Sequence, residues 1–532
     1  MPAVERALLI NPRQSDAARE TSSKCLSETA RIMGRDAATP PLGLLTVAAL
    51  LPAEWSITVV DENVRPITDA EWDAADIVMV SGYSDQIEGQ GRVLVEARRR
   101  GKLSVAGGGW ASFAPEQVSA AGADFVVVDE AETGLPLLFE ALARGAKGGI
   151  IKAEKSADVS KSPAPRFDLL DMSRYVIATM QFSRGCPYRC EFCDIIEKGI
   201  GGRVARAKTP AQFLAELDAL RLSGWRGTVF IADDNFIGDR RRVRELLPEV
   251  AGWMRKHDYP FTLTTEASIN LARDEEMTRM MVEAGITKIF VGIESVDEQA
   301  LRITRKPHNL YLPTDEACRR LAQAGIEVHA ALILGFDGET KGAGDRLLEM
   351  LRAAPVTNSD LNLLWALPQA ALWKRLEKEG RLLVGPDMQS PPGRMNFRPL
   401  RPMDEIIGEA MVFYRDAFER AHLLDRCHRQ HLELAKARNR RQARPSWGDW
   451  RSFAHIAWRY GVLQSCRWRF WAAVADLAPR GLGVLWSFLR VLAHAETHVV
   501  LKHVAMPIWQ TALTDLDDSM RRPFQPAVAA AE

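Results

Sequence analysis

The chain has no surplus of charge: 69 Lys and Arg balance 69 Asp and Glu over 532 residues. A neutral balance leaves no electrostatic footprint for nucleic acid, which is not an expected partner. Uncharged apolar runs of about 18 residues are missing, so no spanning helix is expected. The opening stretch, Met1-Pro-Ala-Val-Glu-Arg-Ala-Leu-Leu-Ile-Asn11, turns polar after a few apolar side chains and reads as a strand, not a secretory leader. Histidine is scarce: ten in all, the first at His257. Cysteine is scarce and odd in number, seven in a long chain without a leader, which argues against a disulfide framework. A cytoplasmic protein is expected.

What is there is ordinary in bulk and unusual in one place. At 47% apolar and 26% charged residues the composition is globular. The length exceeds what one core holds and implies two or three domains. Three of the seven cysteines crowd into Gln181-Phe-Ser-Arg-Gly-Cys186-Pro-Tyr-Arg-Cys190-Glu-Phe-Cys193-Asp194. The others (Cys25, Cys318, Cys427, Cys466) stand singly, as small core hydrophobes do. Zinc commonly takes two C-x2-C pairs, and no second pair exists. Three close thiolates instead suit three irons of a 4Fe–4S cubane, whose fourth iron then stays open to a ligand. The C-x3-C-x2-C spacing resembles the signature of the radical S-adenosylmethionine (SAM) enzymes. The resemblance implies that the open iron chelates SAM.

Upstream, short apolar runs alternate with helical patterns. Strands are expected at 7–11, 56–61, 77–81, 103–107 and 125–129, with helices at 42–51 and 89–100 between them. That alternation predicts a doubly wound parallel sheet over residues 1–150, with ligands beyond the carboxyl ends of its strands. Two glycine turns lie at such ends, Ser81-Gly82-Tyr83-Ser84 and Gly107-Gly108-Gly109-Trp110. Taken alone, such glycine turns read first as ordinary tight turns. With the cysteine motif downstream, this half resembles a cobalamin-binding domain, also through Pro40-Pro-Leu-Gly-Leu-Leu-Thr46, Val60-Asp-Glu-Asn63 and Asp129-Glu130-Ala-Glu132. The resemblance implies cobalamin contacts at Ser81, Gly82, Gly107, Gly108, Gly109 and Glu130. Domains of this kind that ligate cobalt through histidine carry Asp-x-His-x-x-Gly after the first strand; here the run is Asn11-Pro-Arg-Gln-Ser-Asp16. No histidine of this half can ligate cobalt.

Residues 151–175, with Ser162-Pro-Ala-Pro-Arg166, read as a linker. Over 176–395 strand–helix alternation resumes. Strands are expected at 176–182, 228–232, 262–266, 288–293, 328–334 and 360–366, with helices at 210–222, 240–256, 274–284 and 315–324. Six units predict a partial (β/α)6 barrel with its site at the carboxyl ends of the strands. Polar groups gather there: Asp233-Asp234-Asn235, Glu266 with Ser268, and Glu294-Ser295. Each alone is a solvated strand end or cap. Together, and with Phe192 in the cysteine loop, the resemblance implies SAM contacts. Gly335-Phe-Asp-Gly-Glu-Thr340 resembles the family's Gly-Phe-Pro-Gly-Glu-Thr turn.

Gln181-Phe-Ser-Arg-Gly-Cys186, Gly224-Trp-Arg-Gly227, Asp233-Asp-Asn-Phe-Ile-Gly238 and Thr265-Glu-Ala-Ser-Ile-Asn270 are similar to the hopanoid methylase branch of cobalamin-dependent radical SAM enzymes. The sixth strand departs from it, with Ala366-Leu-Pro-Gln-Ala370 for the usual Ala-Leu-Pro-Gly-Thr. Membership implies three cofactors (a 4Fe–4S cluster, SAM and cobalamin), a reducing partner such as ferredoxin or flavodoxin, and methyl transfer to an unactivated carbon of an apolar, hopanoid-like or other polycyclic small molecule. The rival readings are a radical SAM rearrangement, cyclisation or oxidation in natural-product or tetrapyrrole biosynthesis, and a non-catalytic iron–sulfur protein.

Residues 396–515 lose the strand pattern and read as helices; 516–532 read as a disordered tail. Half of the fourteen tryptophans fall here, at Trp447, Trp450, Trp458, Trp468, Trp471, Trp486 and Trp509, interleaved with arginines. One reading is a helical cap burying its aromatics on the barrel. The other is an amphipathic surface touching the inner face of a membrane or admitting a lipid. The basic run Lys436–Arg444 suits a solvated linker or anionic headgroups. His494, His498 and His503 suit surface or core positions better than ligation of a metal or of the cobalt, since no carboxylate partner stands at helical spacing.

Overall fold

A computed structural model describes residues 4–14, 30, 34–195, 204–385, 393–437 and 447–524. The chain divides into two compact units: Met1–Gly185 with Lys198–Asp233 and Gly252–Thr262, and Cys186–Glu197 with Asp234–Ala251 and Leu263–Glu532.

The first unit carries six parallel strands: β1 (Arg6–Asn11), β2 (Ser56–Asp61), β3 (Ile77–Gly82), β4 (Leu103–Gly107), β5 (Phe125–Val128) and β6 (Gly149–Lys152). Their order is β2-β1-β3-β4-β5-β6. Helices α1 (Leu42–Leu50), α2 (Ile87–Arg99), α3 (Gly108–Phe113) and α4 (Ala131–Ala143) make the connections. In β1 the four consecutive residues Ala7, Leu8, Leu9 and Ile10 are all buried. A strand covered on both faces shows such an unbroken apolar run in place of alternation. One layer of the core packs Leu8, Ile10, Val78, Val80 and Val126 against Trp72 and Trp110. The order reverses direction between β1 and β3, and open sheets of this kind bind ligands at that switch point.

Strand β6 escaped the sequence reading. It is exposed along most of its length and exists through its register with β5, Phe125 opposite Gly149. The supposed linker is also more than a tether. Asp158 and Asp171 each accept a bond from the amide two residues on, forming short turns. Phe167, Met172 and Tyr175 are buried, and the Tyr175 hydroxyl donates to Asp61 Oδ2 at 3.1 Å.

Strands β7 (Ala178–Met180) and β8 (Thr228–Ile231) pair in parallel in the first unit. Helix α5 (Pro210–Leu222) precedes β8. Thr209 Oγ1 accepts from Gln212 N, the Gln212 side chain accepts from Thr209 N, and Pro210 opens the helix. In the second unit β9 (Thr262–Glu266), β10 (Ile286–Glu294), β11 (Glu327–Leu334) and β12 (Ser359–Leu363) pair in parallel in that order. Helices α6 (Arg240–Lys256), α7 (Glu275–Glu283), α8 (Thr314–Ala324) and α9 (Ala343–Ala353) lie between strands. Along β11, Val328, Ala330, Leu332 and Leu334 are buried while His329, Ala331 and Ile333 are half-buried, so the two faces have different surroundings.

The C-terminal region is helical as expected: α10 (Met403–Ala417), α11 (Arg420–Leu434), α12 (Trp447–Trp458), α13 (Arg467–Leu477) and α14 (Leu482–Thr514). Leu424 and Cys427 of α11, Ile456, Phe470 and Phe488 with Leu492 form its core. Helix α14 is long and apolar enough to cross a membrane by length and composition, but half of its most apolar stretch is buried inside the fold.

Two expectations are corrected. The segment 516–524 is packed: Leu516 is buried, Met520 O accepts from Met403 N, and Phe524 lies under the guanidinium groups of Arg381 and Arg398. Residues 525–532 lie outside the described residues, as do Arg438, Arg440 and Arg441 of the basic run. Nor does the helical region bury all its aromatics. Trp458 and Trp468 are 59% and 74% exposed, while Ile456 and Phe470 of the same helices sit in the core.

Candidate active site

Cys186, Cys190 and Cys193 sit on one loop, each half-buried, and among the described residues none of the cysteines is in a disulfide. Burial raises all three thiols above their ordinary range, Cys193 to about 12; the Cys186 sulfur raises Cys190 further, and both raise Cys193. Three thiolates this close need a positive centre to share. A cluster of irons supplies one, so the donor set fits the group that the spacing implied.

The loop is held by contacts of its own. Tyr188 stacks on His308 with ring centroids 3.7 Å apart, and its hydroxyl accepts from Asn270 Nδ2 at 2.7 Å. Asn270 Oδ1 accepts from Ser268 Oγ, which accepts in turn from Asn235 Nδ2. Asn235 also points that amide at Cys186 Sγ, 3.9 Å away. Glu191 takes Arg375 Nε at 2.6 Å, and Arg375 reaches on to Asp337 of the Gly335–Thr340 turn at 2.8 Å. Asn235 and Ser268, proposed from sequence as neighbours of one ligand, are thus bonded to each other beside the cysteine loop. Phe192 packs 5.4 Å from Phe336.

Glu294 ends β10 at a bulge, with φ of +62°. Its carboxylate meets Lys306 Nζ at 2.6 Å, both side chains being buried. Burial opposes the lysine charge, but Glu294 and the sulfurs of Cys190 and Cys193 hold it, above the usual range. Lys306 was missed by sequence reasoning. It lies twelve residues beyond its partner in no recognisable motif, and only the fold brings it there. Ser295 Oγ accepts from Asp297 N at 3.2 Å, a cap at the start of the next turn. Asp234 and Glu266 are half-buried, and the Glu266 carbonyl accepts from Phe236 N.

Asp233 turns to its own unit. Its two oxygens accept from the amides of Phe182 and Ser183 at 2.7 and 2.8 Å and from Ser183 Oγ at 2.6 Å. Glu130 likewise pairs with Arg184 at 2.9 Å and Arg206 at 2.9 Å. Glu132 joins Arg184 at 2.7 Å; burial works against its charge, yet the guanidinium holds its carboxyl at about 2. Ser81, Gly82 and Gly107 to Gly109 do converge: Gly82 bridges Gly108 in parallel. Gly108 has φ of +85°, and a Cβ there would meet Ser81 Oγ at 2.4 Å, so both conformation and space require glycine. The turn at the end of the sixth strand keeps a glycine's shape without the glycine, since Gln369 has φ of +71°.

A parallel sheet with glycines at its switch-point end and a barrel-type sheet headed by a three-cysteine loop define a radical SAM enzyme with an N-terminal corrinoid-type domain. Residues 34–139 match the B12 binding domain, 180–351 the Radical SAM superfamily, and 370–505 a domain of unknown function. The hopanoid C-2 methylase of Rhodopseudomonas palustris is 36% identical over 387 residues, 72% of this chain and 71% of that protein. An uncharacterized methyltransferase of Synechocystis is 41% identical over 469 residues, 87% of each chain. Among solved structures, the cobalamin-dependent SAM radical enzyme OxsB matches with a TM-score of 0.59 at 16% identity, over 98% of this chain and 82% of its own. The radical SAM methyltransferase TsrM of Kitasatospora setae matches with a TM-score of 0.55 at 16% identity, over 72% and 77%. The chain belongs to the cobalamin-dependent radical SAM methyltransferases, the family of the hopanoid C-2 methylase. Its cofactors are those of the two matched domains, a 4Fe–4S cluster with SAM and cobalamin.

Proposed function

We propose that the enzyme methylates an unactivated carbon of an apolar, polycyclic, hopanoid-like molecule. The observation that carries this is the 36% identity to a hopanoid C-2 methylase, sustained across 72% of the chain. The bound groups supply one-electron cleavage of SAM and a methyl group carried on cobalt. In this reading Cys186, Cys190 and Cys193 hold three irons. Phe192, Asp234, Asn235, Glu266, Ser268, Glu294 and Ser295 surround SAM, and Ser81, Gly82, Gly107, Gly108 and Gly109 let the corrinoid approach the backbone. Asp233 and Glu130 contribute indirectly, by fixing Phe182, Ser183 and Arg184. An unactivated carbon asks for no acid or base, so the residues' tasks are to orient the reactants and exclude water. A ferredoxin- or flavodoxin-type reductant supplies the electron. The test is lipid extraction from a hopanoid-producing strain with and without the gene. A methylated hopanoid should appear only with it; unchanged hopanoids alongside stoichiometric corrinoid in the purified protein would reject this substrate class.

The surface of the helical region supports a membrane contact for the same substrate. Trp458, Leu463, Trp468 and Leu482, on the stretch joining α12 to α14, are all more than half exposed. The guanidinium of Arg467 lies 5.8 Å over the Trp468 ring. Indole rings beside arginine suit the interface of an anionic bilayer. Vesicles containing anionic lipid should sediment the enzyme, and serine at Trp458, Leu463 and Trp468 together should release it. Equal sedimentation of both proteins would remove this contact.

A further inference from the structure

The histidines of α14 find the carboxylate that helical spacing did not offer, because it comes from a strand. Asp360, second residue of β12, accepts from His329 of β11 at 2.8 Å. His498 of α14 brings its Nε2 to 3.7 Å from the other oxygen of Asp360, beyond hydrogen-bond reach. One donor atom from each of the three lies within 4.8 Å of the others, the only such set among the described residues. His498 is 3% exposed, and its Nδ1 is buried with no hydrogen-bond partner. The nitrogen aimed at Asp360 is the other one, Nε2. The ring rests on Phe418, centroids 5.2 Å apart, with Nε2 turned toward a carboxylate and a second histidine.

We propose that His329, Asp360 and His498 form a site for a divalent first-row transition metal ion of the zinc or ferrous class. Two imidazoles and a carboxylate are the donors such ions select over magnesium or calcium. Tetrahedral ligands at roughly 2.0–2.1 Å from zinc stand about 3.3 Å apart, close to the 3.7 Å that separates His498 from Asp360. Three protein donors leave a further position for water or another oxygen ligand, as in open zinc sites. His329 lies on the face of the sheet that carries Phe290, 5.0 Å away, and Gly292, beside which the Glu294–Lys306 pair sits. The ion therefore shares a sheet face with the cysteine loop's lysine but stands nearer the amino ends of the strands. It also ties α14 to the paired strands β11 and β12.

Zinc alone is the probe, because iron and cobalt already belong to the resident cofactors. The full-length enzyme, reconstituted anaerobically with its cluster, is dialysed against micromolar zinc and its metal content counted. The wild type should retain one zinc per chain with a shell of nitrogen and oxygen only at the zinc absorption edge. His498→Ala should lower zinc affinity at least about tenfold with iron content unchanged. Asp360→Asn, which keeps the side-chain volume, should do the same even if His498→Ala folds poorly. No retained zinc in the wild type, zinc with sulfur in its shell, or equal zinc affinity in wild type and Asp360→Asn would each overturn the assignment.

Discussion

Cys190→Ala protein is expected to purify without its iron–sulfur colour and to yield no detectable 5′-deoxyadenosine from SAM under reducing conditions. Cys190 is the middle cysteine of the loop, and its thiol interacts with Cys186 and Lys306. With one sulfur gone, two ligands cannot hold a cubane that already lacks a fourth. The matched control is Cys318→Ala. Cys318 is fully buried in α8, distant in sequence from the loop, and behaves as a small hydrophobe. Its loss should cost about 1 kcal/mol of packing and leave iron content and SAM cleavage unchanged. Iron measured per chain, with SAM turnover, separates the cases. A Cys190→Ala protein that keeps its full iron would refute the three-cysteine assignment, and equal losses in both variants would reduce the effect to general instability.

The second large effect is expected at Lys306. Lys306→Met removes the partner of a buried carboxylate, and stranding one charge of such a pair costs about 3–5 kcal/mol. The double variant Lys306→Met with Glu294→Gln leaves no bare charge and should recover more than half of that loss. Because the chain has more than one cooperative unit, the comparison rests on denaturation midpoints of the variants, not on one global free energy. Lys306 also places a cation beside the sulfurs of Cys190 and Cys193. Its removal should make the cluster harder to reduce, since net charge around the sulfurs sets the potential. Equal stability of single and double variants would show that the pair is not coupled.

What the sequence disclosed and what it withheld follow one rule. Signals carried by adjacent residues were legible. Strands β2, β4 and β9 and helices α5 and α6 begin and end where apolar pattern and turn residues place them. The cysteine spacing is likewise local. Features made by tertiary pairing were not legible. Strand β6 is four residues long, mostly exposed, and defined by its pairing with β5. Asp233 stands at a strand end as expected, but sequence cannot say which way a carboxylate turns, and the amides of Phe182 and Ser183 take it. Glu130 is engaged by Arg184 and Arg206, more than fifty residues away. Asp360 and His498 meet across 138 residues, and no periodicity on either element announces the other. The lost glycine of the sixth-strand turn is the converse. Composition changed there, yet Gln369 still adopts the left-handed backbone. Such a residue carries strain of about 1 kcal/mol, which the surrounding fold holds in place.

The anchoring of the cysteine loop bears on how its sulfurs are presented. Tyr188 on His308, Glu191 on Arg375 and the Asn235–Ser268–Asn270 chain are bonds between side chains, and none of them runs through iron. The three sulfurs are therefore presented by a surface that the polypeptide shapes by itself. Variants that break one of these contacts are therefore expected to disturb the presentation of the sulfurs even where all three cysteines are intact.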